Sequence, residues 1–509
     1  MNRVQRSSIN MISSIAGYAI PMLVALFTTP LLLRGLGEAA YGLQSLIAVI
    51  IGYLTFMDMG LDLPITKYLA EDRARKDTVA QNFLLSTTLQ LYAGIGLIGM
   101  LGIALLAEWF VYSVFKVPEN LVGEAVTVFR LAGIGFLGSV GTSWGRSVAM
   151  GLQRFDLTYS VSVVLSTAGT LIGLGVVYAG YGIVGYVLTR TLFTLVTGPA
   201  YFVLTLRLLP DFHFRLGLNK ATIRRVGSYL GYGTFNRITS SLVSRLDQTL
   251  LGVWVGVAAA GIYSVPLMMV NSLGYMLAYM LGFIFPMASE LQGLGQMNRL
   301  RDIFIRSSQF IAALAGLVFI PVFVLGDLFL ALWTPTISSR AAGVLQLLAL
   351  AGYIGTLTTS LSNNVMVGLG KIRQFTIYCT IRAVVLATFC LIFIRPLGIE
   401  GAGWALLCTC GVDIVYFYIF LRRYIQIAPS LLLQKAYLKP ILLGGAFATL
   451  NFFCRPLILS WISLVTFGLG LTLIYIAAGY AIGVFGETEK RALVGLWKTI
   501  PDPRNWKGK

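Results

Sequence analysis

Long apolar segments recur along the whole chain, and they constrain its fold more than any other feature of the sequence. About 14 such runs are separated by polar or Pro/Gly-containing stretches. A helix of about 20 apolar residues crosses a hydrocarbon core of ~30 Å. Residues 464–482 are almost uniformly apolar, unlike the alternating strands of a β-barrel. Charged residues make up only 11% of the chain, against roughly 25% in soluble proteins. The sequence therefore predicts an all-α integral membrane protein with about 14 transmembrane helices.

The predicted spans follow the apolar runs from one end of the chain to the other. They lie approximately at residues 9–33, 41–66, 82–107, 125–147, 157–179, 182–206, 227–255, 261–288, 304–326, 342–366, 375–394, 401–421, 437–455 and 459–484. The first run is longer than the apolar core of a signal peptide and is interpreted as a retained helix.

The basic residues are distributed unequally between alternate loops. One set of loops, together with both termini, holds 28 Lys and Arg residues. The opposite loops hold only Arg34, Lys116, Arg340, Arg395 and Arg455. By the positive-inside rule, both termini are predicted to be cytoplasmic. The formal net charge of +18 is thereby explained by topology and contact with anionic lipid, so no nucleic-acid partner is predicted.

Weak internal similarity predicts a duplicated unit. Three short patterns, such as Gly182-Ile183-Val184-Gly185 and Gly398-Ile399-Glu400-Gly401, recur at offsets of 216 to 222 residues. The predicted organisation is an N-lobe of helices 1–6 (residues 1–215), a C-lobe of helices 7–12 (216–425), helices 13–14 (426–485) and a cytoplasmic tail (486–509). Two parallel repeats around a central cavity are a common plan for transporters with alternating access.

Five arginines fall inside the predicted spans and are candidates for a cationic cavity. An arginine at the centre of a bilayer costs about 2.5–3.5 kcal/mol on insertion scales. In span seven the polar stripe Arg237, Ser241, Ser244 and Gln248 repeats at helical spacing, with Arg245 at its edge. The candidate substrate-binding residues are Arg237, Arg245, Arg130, Arg190, Arg382, Ser241 and Gln248. The alternatives are pairing of Arg237 and Arg245 with carboxylates and snorkelling of the isolated arginines to an interface.

Acidic residues and prolines inside the spans give two further sets of candidates. Asp247, Asp413, Asp58 and Asp62 are candidates for ion coupling or gating, with fixed salt bridges or an interfacial position as the alternative. Pro21 and Pro30 in span one remove helical hydrogen bonds, so they mark either a hinge or a static kink.

Several classes of chemistry find no support in the sequence. The chain has one histidine, His213, and its five cysteines lie in apolar segments without a Cys-x-x-Cys pair. It also lacks the Gly-x-x-x-x-Gly-Lys-Ser/Thr loop that binds nucleotide phosphates. We therefore predict no metal, no cofactor and no enzymatic activity.

The ends of the first spans and the start of the eighth resemble the polysaccharide flippases. The resemblance rests on Pro30-Leu31-Leu32-Leu33-Arg34-Gly35-Leu36-Gly37 before Tyr41-Gly42, on Asp58-Met59-Gly60-Leu61, on Arg245-Leu246-Asp247, and on Gly252, Gly256 and Gly261-Ile262-Tyr263-Ser264. These flippases are the O-antigen-type branch of the multidrug/oligosaccharidyl-lipid/polysaccharide exporter (MOP) superfamily. The resemblance covers essentially the whole chain and implies two six-helix lobes around a cationic cavity in a bacterial inner membrane. It also implies alternating access for an undecaprenyl-pyrophosphate-linked oligosaccharide, with other polysaccharide-assembly membrane proteins as candidate partners.

Three other functions remain open at this stage. A multidrug exporter of the same superfamily would handle cationic amphiphiles and favour intramembrane acids. A membrane glycan polymerase or ligase would need a sizeable external loop, which the sequence lacks. A non-transporting scaffold would not need a charged interior stripe.

Overall fold

The fold is entirely helical over the residues that the structure describes. This computed structural model describes residues 3–54, 57, 60–227, 245–282 and 284–485, and it contains no strand among them. The helices are α1 (Arg3–Leu54), α2 (Asp62–Ala74), α3 (Thr78–Trp109), α4 (Val122–Gly151), α5 (Phe155–Val176), α6 (Gly182–Leu208), α7 (Lys220–Gly227), α8 (described over 245–254), α9 (Val257–Met280), α10 (Ile284–Gly293), α11 (Met297–Trp333), α12 (Ser338–Gly368), α13 (Ile372–Phe420), α14 (Pro429–Leu432), α15 (Leu438–Cys454) and α16 (Trp461–Ala481).

Ten helical stretches of the described chain are long and apolar enough to cross a membrane. Three of them, Ala19–Leu54, Ser160–Leu208 and Ile372–Ile425, have 36, 49 and 54 residues. At 1.5 Å per residue each is much longer than a ~30 Å core. Each is broken by a glycine in a non-helical conformation, at Gly37, Gly180 and Gly398. These stretches therefore correspond to pairs of predicted spans, and the all-α multi-pass architecture is confirmed.

The first break lies at a glycine and not at the prolines of α1. Pro21 and Pro30 are both inside the helix, whereas Gly37 has a φ of 79°. A side chain is strained at such a positive φ, so glycine suits this position. Whether Pro21 or Pro30 acts as a hinge stays a prediction.

The second predicted span ends earlier than the sequence indicated. α1 ends at Leu54, and a separate helix, α2, begins at Asp62 after Gly60 with a φ of 76°. Asp62 therefore lies in the first turn of α2 and not within a continuous span at 41–66. The hydropathy pattern missed this break because the apolar residues continue through it.

The chain forms two compact units. The first comprises Met1–Val265 with Leu386–Ala402, and the second comprises Pro266–Val385 with Gly403–Lys509. This division follows contacts within the folded chain and not the internal repeat. The lobe boundaries predicted from the repeat remain a prediction.

Within the second unit, α11, α15 and α16 share an apolar core. Tyr475 of α16 is almost fully buried, packs its ring 4.6 Å from that of Phe447, and donates a hydrogen bond to the carbonyl of Ala313 at 2.8 Å. Burying a tyrosine ring while its hydroxyl keeps a hydrogen bond stabilises the packing between helices. The last two predicted spans thus pack onto the remainder of this unit.

Candidate functional site: a hydroxyl-lined cationic cavity

A cavity of about 270 Å³ lies among α4, α5 and α6 of the first unit. Its lining is dominated by hydroxyl groups and two arginines. The lining residues are Ser139, Thr142, Ser143, Arg146, Ser162, Ser166, Gly169, Arg190, Phe193, Thr194 and Thr197. None of these described lining residues is acidic, so the charged groups of the described lining are both cationic.

Each of the three helices presents one polar face to this cavity. On α4 the lining residues Ser139, Thr142, Ser143 and Arg146 follow the i, i+3, i+4, i+7 spacing of a helical face. The same spacing relates Arg190 to the lining residues that follow it on α6. These polar positions are set into otherwise apolar helices, which is the pattern expected of a wet cavity wall.

Small residues bring α4 and α6 into close contact beside the cavity. A Cβ atom at Gly145 would lie 2.2 Å from the Cβ of Tyr201, and one at Gly138 would lie 2.8 Å from the carbonyl oxygen of Thr194. Glycines allow membrane helices to approach this closely. The two contacts also fix a parallel register in which residue 138 of α4 faces residue 194 of α6.

This register places the two arginines at different depths. Arg190 precedes Thr194 by one turn, whereas Arg146 follows Gly138 by two turns. At 1.5 Å per residue, their backbones are roughly 18 Å apart along the helix axes. The hydroxyl groups lie between these levels, so the cavity is an elongated column with a cation near each end.

Both arginine side chains are accessible. Arg146 and Arg190 are exposed, and the described hydrogen bond of the Arg190 guanidinium is a long one, 3.4 Å to the hydroxyl of Tyr186. Arginine presents a planar set of donors that matches phosphate and carboxylate. The arrangement is suited to bind an anion together with a ligand rich in hydroxyl groups.

The structure places the predicted arginines in different environments. Arg190 lines the cavity, whereas Arg130 on α4 forms a 2.8 Å ion pair with Glu108 on α3, and both side chains are more than half exposed. Arg245 lies over Gly52 of α1 and donates to the carbonyl of Ala48 at 3.3 Å. The described structure does not bring these three arginines to one cavity.

Arg382 is held by an acidic residue in the second unit. Its Nε donates to Asp413 at 2.9 Å, and the hydroxyl of Tyr378 donates to the same carboxylate oxygen at 2.7 Å. Asp413 is 1% exposed. This geometry is the fixed salt bridge that the sequence left open as an alternative, and the assignment of Arg382 to a substrate cavity stays a prediction.

Asp247 and Gln248 are buried in the first unit. Asp247 accepts a hydrogen bond from the hydroxyl of Tyr263 and another from the backbone N–H of Gln248 at 2.8 Å. A buried carboxylate with hydroxyl partners suits a structural contact as well as a protonation site. Its role in ion coupling therefore stays a prediction, as does that of Asp62. The predicted Arg237, Ser241 and Asp58 lie outside the described residues.

Sequence reasoning missed Arg146 and the serine and threonine faces. Arg146 is one of the 28 basic residues that the sequence assigns to the cytoplasmic loops and termini, but α4 continues to Gly151 and carries it into the cavity wall. The signal that could have found it is the spacing of Ser139, Ser143 and Arg146 on one helical face. Serine and threonine have hydropathy values close to zero, so the serine and threonine faces do not stand out in a hydropathy profile.

Comparison with known proteins decides the family. A family model described as "Polysaccharide biosynthesis protein" matches residues 8–292, more than half of the chain. The chain belongs to this family. A member of this kind, named "Putative O-antigen transporter" from Shigella flexneri, is 21% identical over 297 residues, which cover 57% of this chain and 68% of the relative.

Solved structures agree with the helical architecture. The lipid II flippase MurJ in an inward closed conformation superposes with a TM-score of 0.70 at 11% identity, covering 93% of this chain and all of the other. An inward-facing multidrug transporter of the MATE family superposes with a TM-score of 0.67 at 15% identity, covering 83% and 98%. These likenesses show that the chain shares the multi-pass helical fold of these two proteins.

Proposed function

We propose that this protein moves an undecaprenyl-pyrophosphate-linked oligosaccharide from the cytoplasmic to the outer leaflet by alternating access. The observation that carries the proposal is the cavity of the first unit, with Arg146 and Arg190 and a hydroxyl lining. Membership of a polysaccharide-biosynthesis family supports a glycan as the cargo.

The cavity offers binding partners for both the pyrophosphate and the sugars of such a headgroup. Charge-assisted hydrogen bonds from arginine to phosphate are about twice as strong as neutral ones. The serine and threonine hydroxyls can donate to and accept from sugar hydroxyls. A cationic amphiphile would find no carboxylate among the described lining residues, which favours a flippase over a multidrug exporter.

Outward movement of the anionic headgroup is also favourable electrically. With the interior negative, each negative charge moved outward gains ~2.3 kcal/mol per 100 mV. The orientation in this proposal has both termini in the cytoplasm of a bacterial inner membrane. The two predicted lobes, with Arg130, Arg237, Arg245 and Arg382, complete the proposed transport path.

Reconstitution into liposomes tests this proposal. A fluorescent lipid-linked oligosaccharide is placed in the membrane, and its movement between leaflets is followed by a membrane-impermeant quencher. We expect protein-dependent flipping that falls at least tenfold in Arg190→Ala and Arg146→Ala and is partly retained in Arg190→Lys. The matched control is Arg373→Ala, an exposed arginine at the start of α13 that does not line the cavity.

The same vesicles distinguish the alternative functions. Absence of flipping together with transport of a cationic dye would favour the multidrug exporter and overturn the proposal. Conversion of the lipid-linked glycan to a longer or transferred product would instead identify a polymerase or ligase.

A further inference from the structure

The segment of residues 211–219 lies along the first turns of α3 in an extended conformation. It follows α6 and precedes α7, and its start is fixed by Phe212, which is 6% exposed and packs edge-on against Phe202 at 6.5 Å. Backbone N–H groups at alternate residues donate to side-chain oxygens of α3. These bonds are His213 to Asn82 (3.3 Å), Arg215 to Ser86 (3.0 Å), Gly217 to Gln90 (2.9 Å) and Asn219 to Thr87 (3.3 Å).

The side chains of α3 also donate back to the segment. The amide of Asn82 donates to the carbonyl of Asp211 at 3.1 Å, and the amide of Gln90 donates to Arg215 and Gly217 at 3.0 and 3.3 Å. These bonds satisfy the backbone N–H groups of alternate residues and the carbonyls of Asp211, Arg215 and Gly217 without a partner strand. Non-helical backbone at membrane depth requires this kind of satisfaction by protein groups.

The segment covers the side of α3 that faces lipid. Gln90 shares a helical face with Leu97, Leu101 and Leu105, which lie seven, eleven and fifteen residues later. These three leucines are 48%, 53% and 79% exposed on a helix long enough to span the membrane. The hydrogen-bond partners of the segment on α3 run from Asn82 to Gln90, so the segment extends roughly 12 Å along that helix.

One face of the segment is apolar and is followed by basic residues, whereas His213 and Arg215, which are also exposed, alternate with it on the other face. Phe214, Leu216 and Leu218 alternate along the extended chain and are 45%, 90% and 53% exposed. Lys220 and Arg224 of α7 follow directly and are exposed as well. Apolar side chains next to cations match the boundary between acyl chains and anionic headgroups.

We propose that residues 211–219 form a re-entrant membrane anchor. In this arrangement Phe214, Leu216 and Leu218 insert among the acyl chains of the leaflet on the predicted cytoplasmic side. Lys220 and Arg224 bind the anionic headgroups of the same leaflet. The partner is therefore the lipid bilayer, and the anchor holds the connection between α6 and α7 against α3.

Photocrosslinking in lipid nanodiscs tests the position of the anchor. A diazirine amino acid replaces Leu216 in the full chain, within a bilayer containing phosphatidylglycerol and phosphatidylethanolamine, and lipid adducts are measured by mass spectrometry. The controls carry the same probe at Leu105 on the lipid-facing stripe of α3 and at Lys76 in the exposed turn before α3. We expect the adduct yield at position 216 to lie within about twofold of that at 105 and several-fold above that at 76. A yield equal to that at position 76 would overturn the proposal.

The identity of the crosslinked lipid tests the headgroup contact. We expect phosphatidylglycerol to be enriched at least twofold over its share of the bilayer, and the enrichment to disappear in the double variant Lys220→Gln with Arg224→Gln. Each substitution is at an exposed site, so the fold should be retained. Adducts without enrichment would overturn the assignment of Lys220 and Arg224 to anionic headgroups.

Discussion

Replacement of Arg382 by alanine should destabilise the second unit, because it leaves the carboxylate of Asp413 buried without its cation. Asp413 is 1% exposed, and Arg382 donates to it at 2.9 Å. Removing one partner of a buried ion pair costs about 3–5 kcal/mol. The hydrogen bond from Tyr378 at 2.7 Å remains, and the Arg382 side chain is 29% exposed. We therefore expect the free energy of unfolding to fall by about 3 kcal/mol, the lower end of this range.

Thermal unfolding in detergent measures this loss through a buried thiol of the second unit. Cys410 is 1% exposed and, in a chain whose other four cysteines are replaced by serine, should react with a thiol-specific fluorophore only when the fold opens. The midpoint should fall clearly in Arg382→Ala and remain near that of the parent in the double variant Arg382→Met with Asp413→Asn. The double variant removes both charges and keeps an acceptor for Tyr378.

An unchanged midpoint in Arg382→Ala would refute this reasoning. If that variant also lost lipid flipping, Arg382 would act on the substrate, as the sequence alone predicted. Loss of stability without loss of flipping at a permissive temperature would instead show that the ion pair joins the two parts of α13.

Two further substitutions test the packing and the connection between helices. Gly145→Val should lower the midpoint of thermal unfolding, since its Cβ would lie 2.2 Å from a side-chain atom of α6. The control is Gly175→Val, where no atom lies within 4 Å of the added Cβ. Equal midpoints for the two variants would contradict the close contact between α4 and α6. Arg225→Ala removes a bidentate contact with Asp72 at 2.8 and 3.0 Å, a contact that raises the pKa of the guanidinium and keeps it charged. Chymotrypsin should therefore cleave within residues 211–227 faster in Arg225→Ala than in Arg373→Ala, which changes an exposed arginine of α13, and equal cleavage rates would argue against a role of the Arg225–Asp72 contact in holding this segment.

The sequence predicted the fold class and most of the spans because hydropathy and length depend on local composition. Even the division of long helices at Gly180 and Gly398 coincides with predicted boundaries between spans. The break between α1 and α2 was missed because apolar residues such as Leu61, Leu63 and Ile65 continue past Gly60. Positive φ at Gly60 is a property of the backbone that hydropathy does not report.

The candidate site was predicted less completely, because the way in which α4, α5 and α6 pack determines which of their residues lie together. The sequence identifies Arg190 as an interior arginine, but its neighbours on α4 and α5 lie 21 or more residues away in sequence. The contacts of Gly138 and Gly145 with α6 determine which faces meet, and a single sequence does not reveal such pairings. The same limit applies to Asp413 and Arg382, which the sequence named separately and the fold joins.

Direct binding of the lipid carrier tests the central claim most simply. Purified protein is titrated with undecaprenyl pyrophosphate, undecaprenyl phosphate and undecaprenol, and affinities are compared with those of Arg146→Ala and Arg190→Ala. A charge-assisted hydrogen bond contributes about 1.5–3 kcal/mol, or roughly 10- to 150-fold in affinity. The cavity predicts the tightest binding for the pyrophosphate and a loss of at least tenfold in each variant. Equal affinity for the uncharged undecaprenol, or no loss in either variant, would contradict the account.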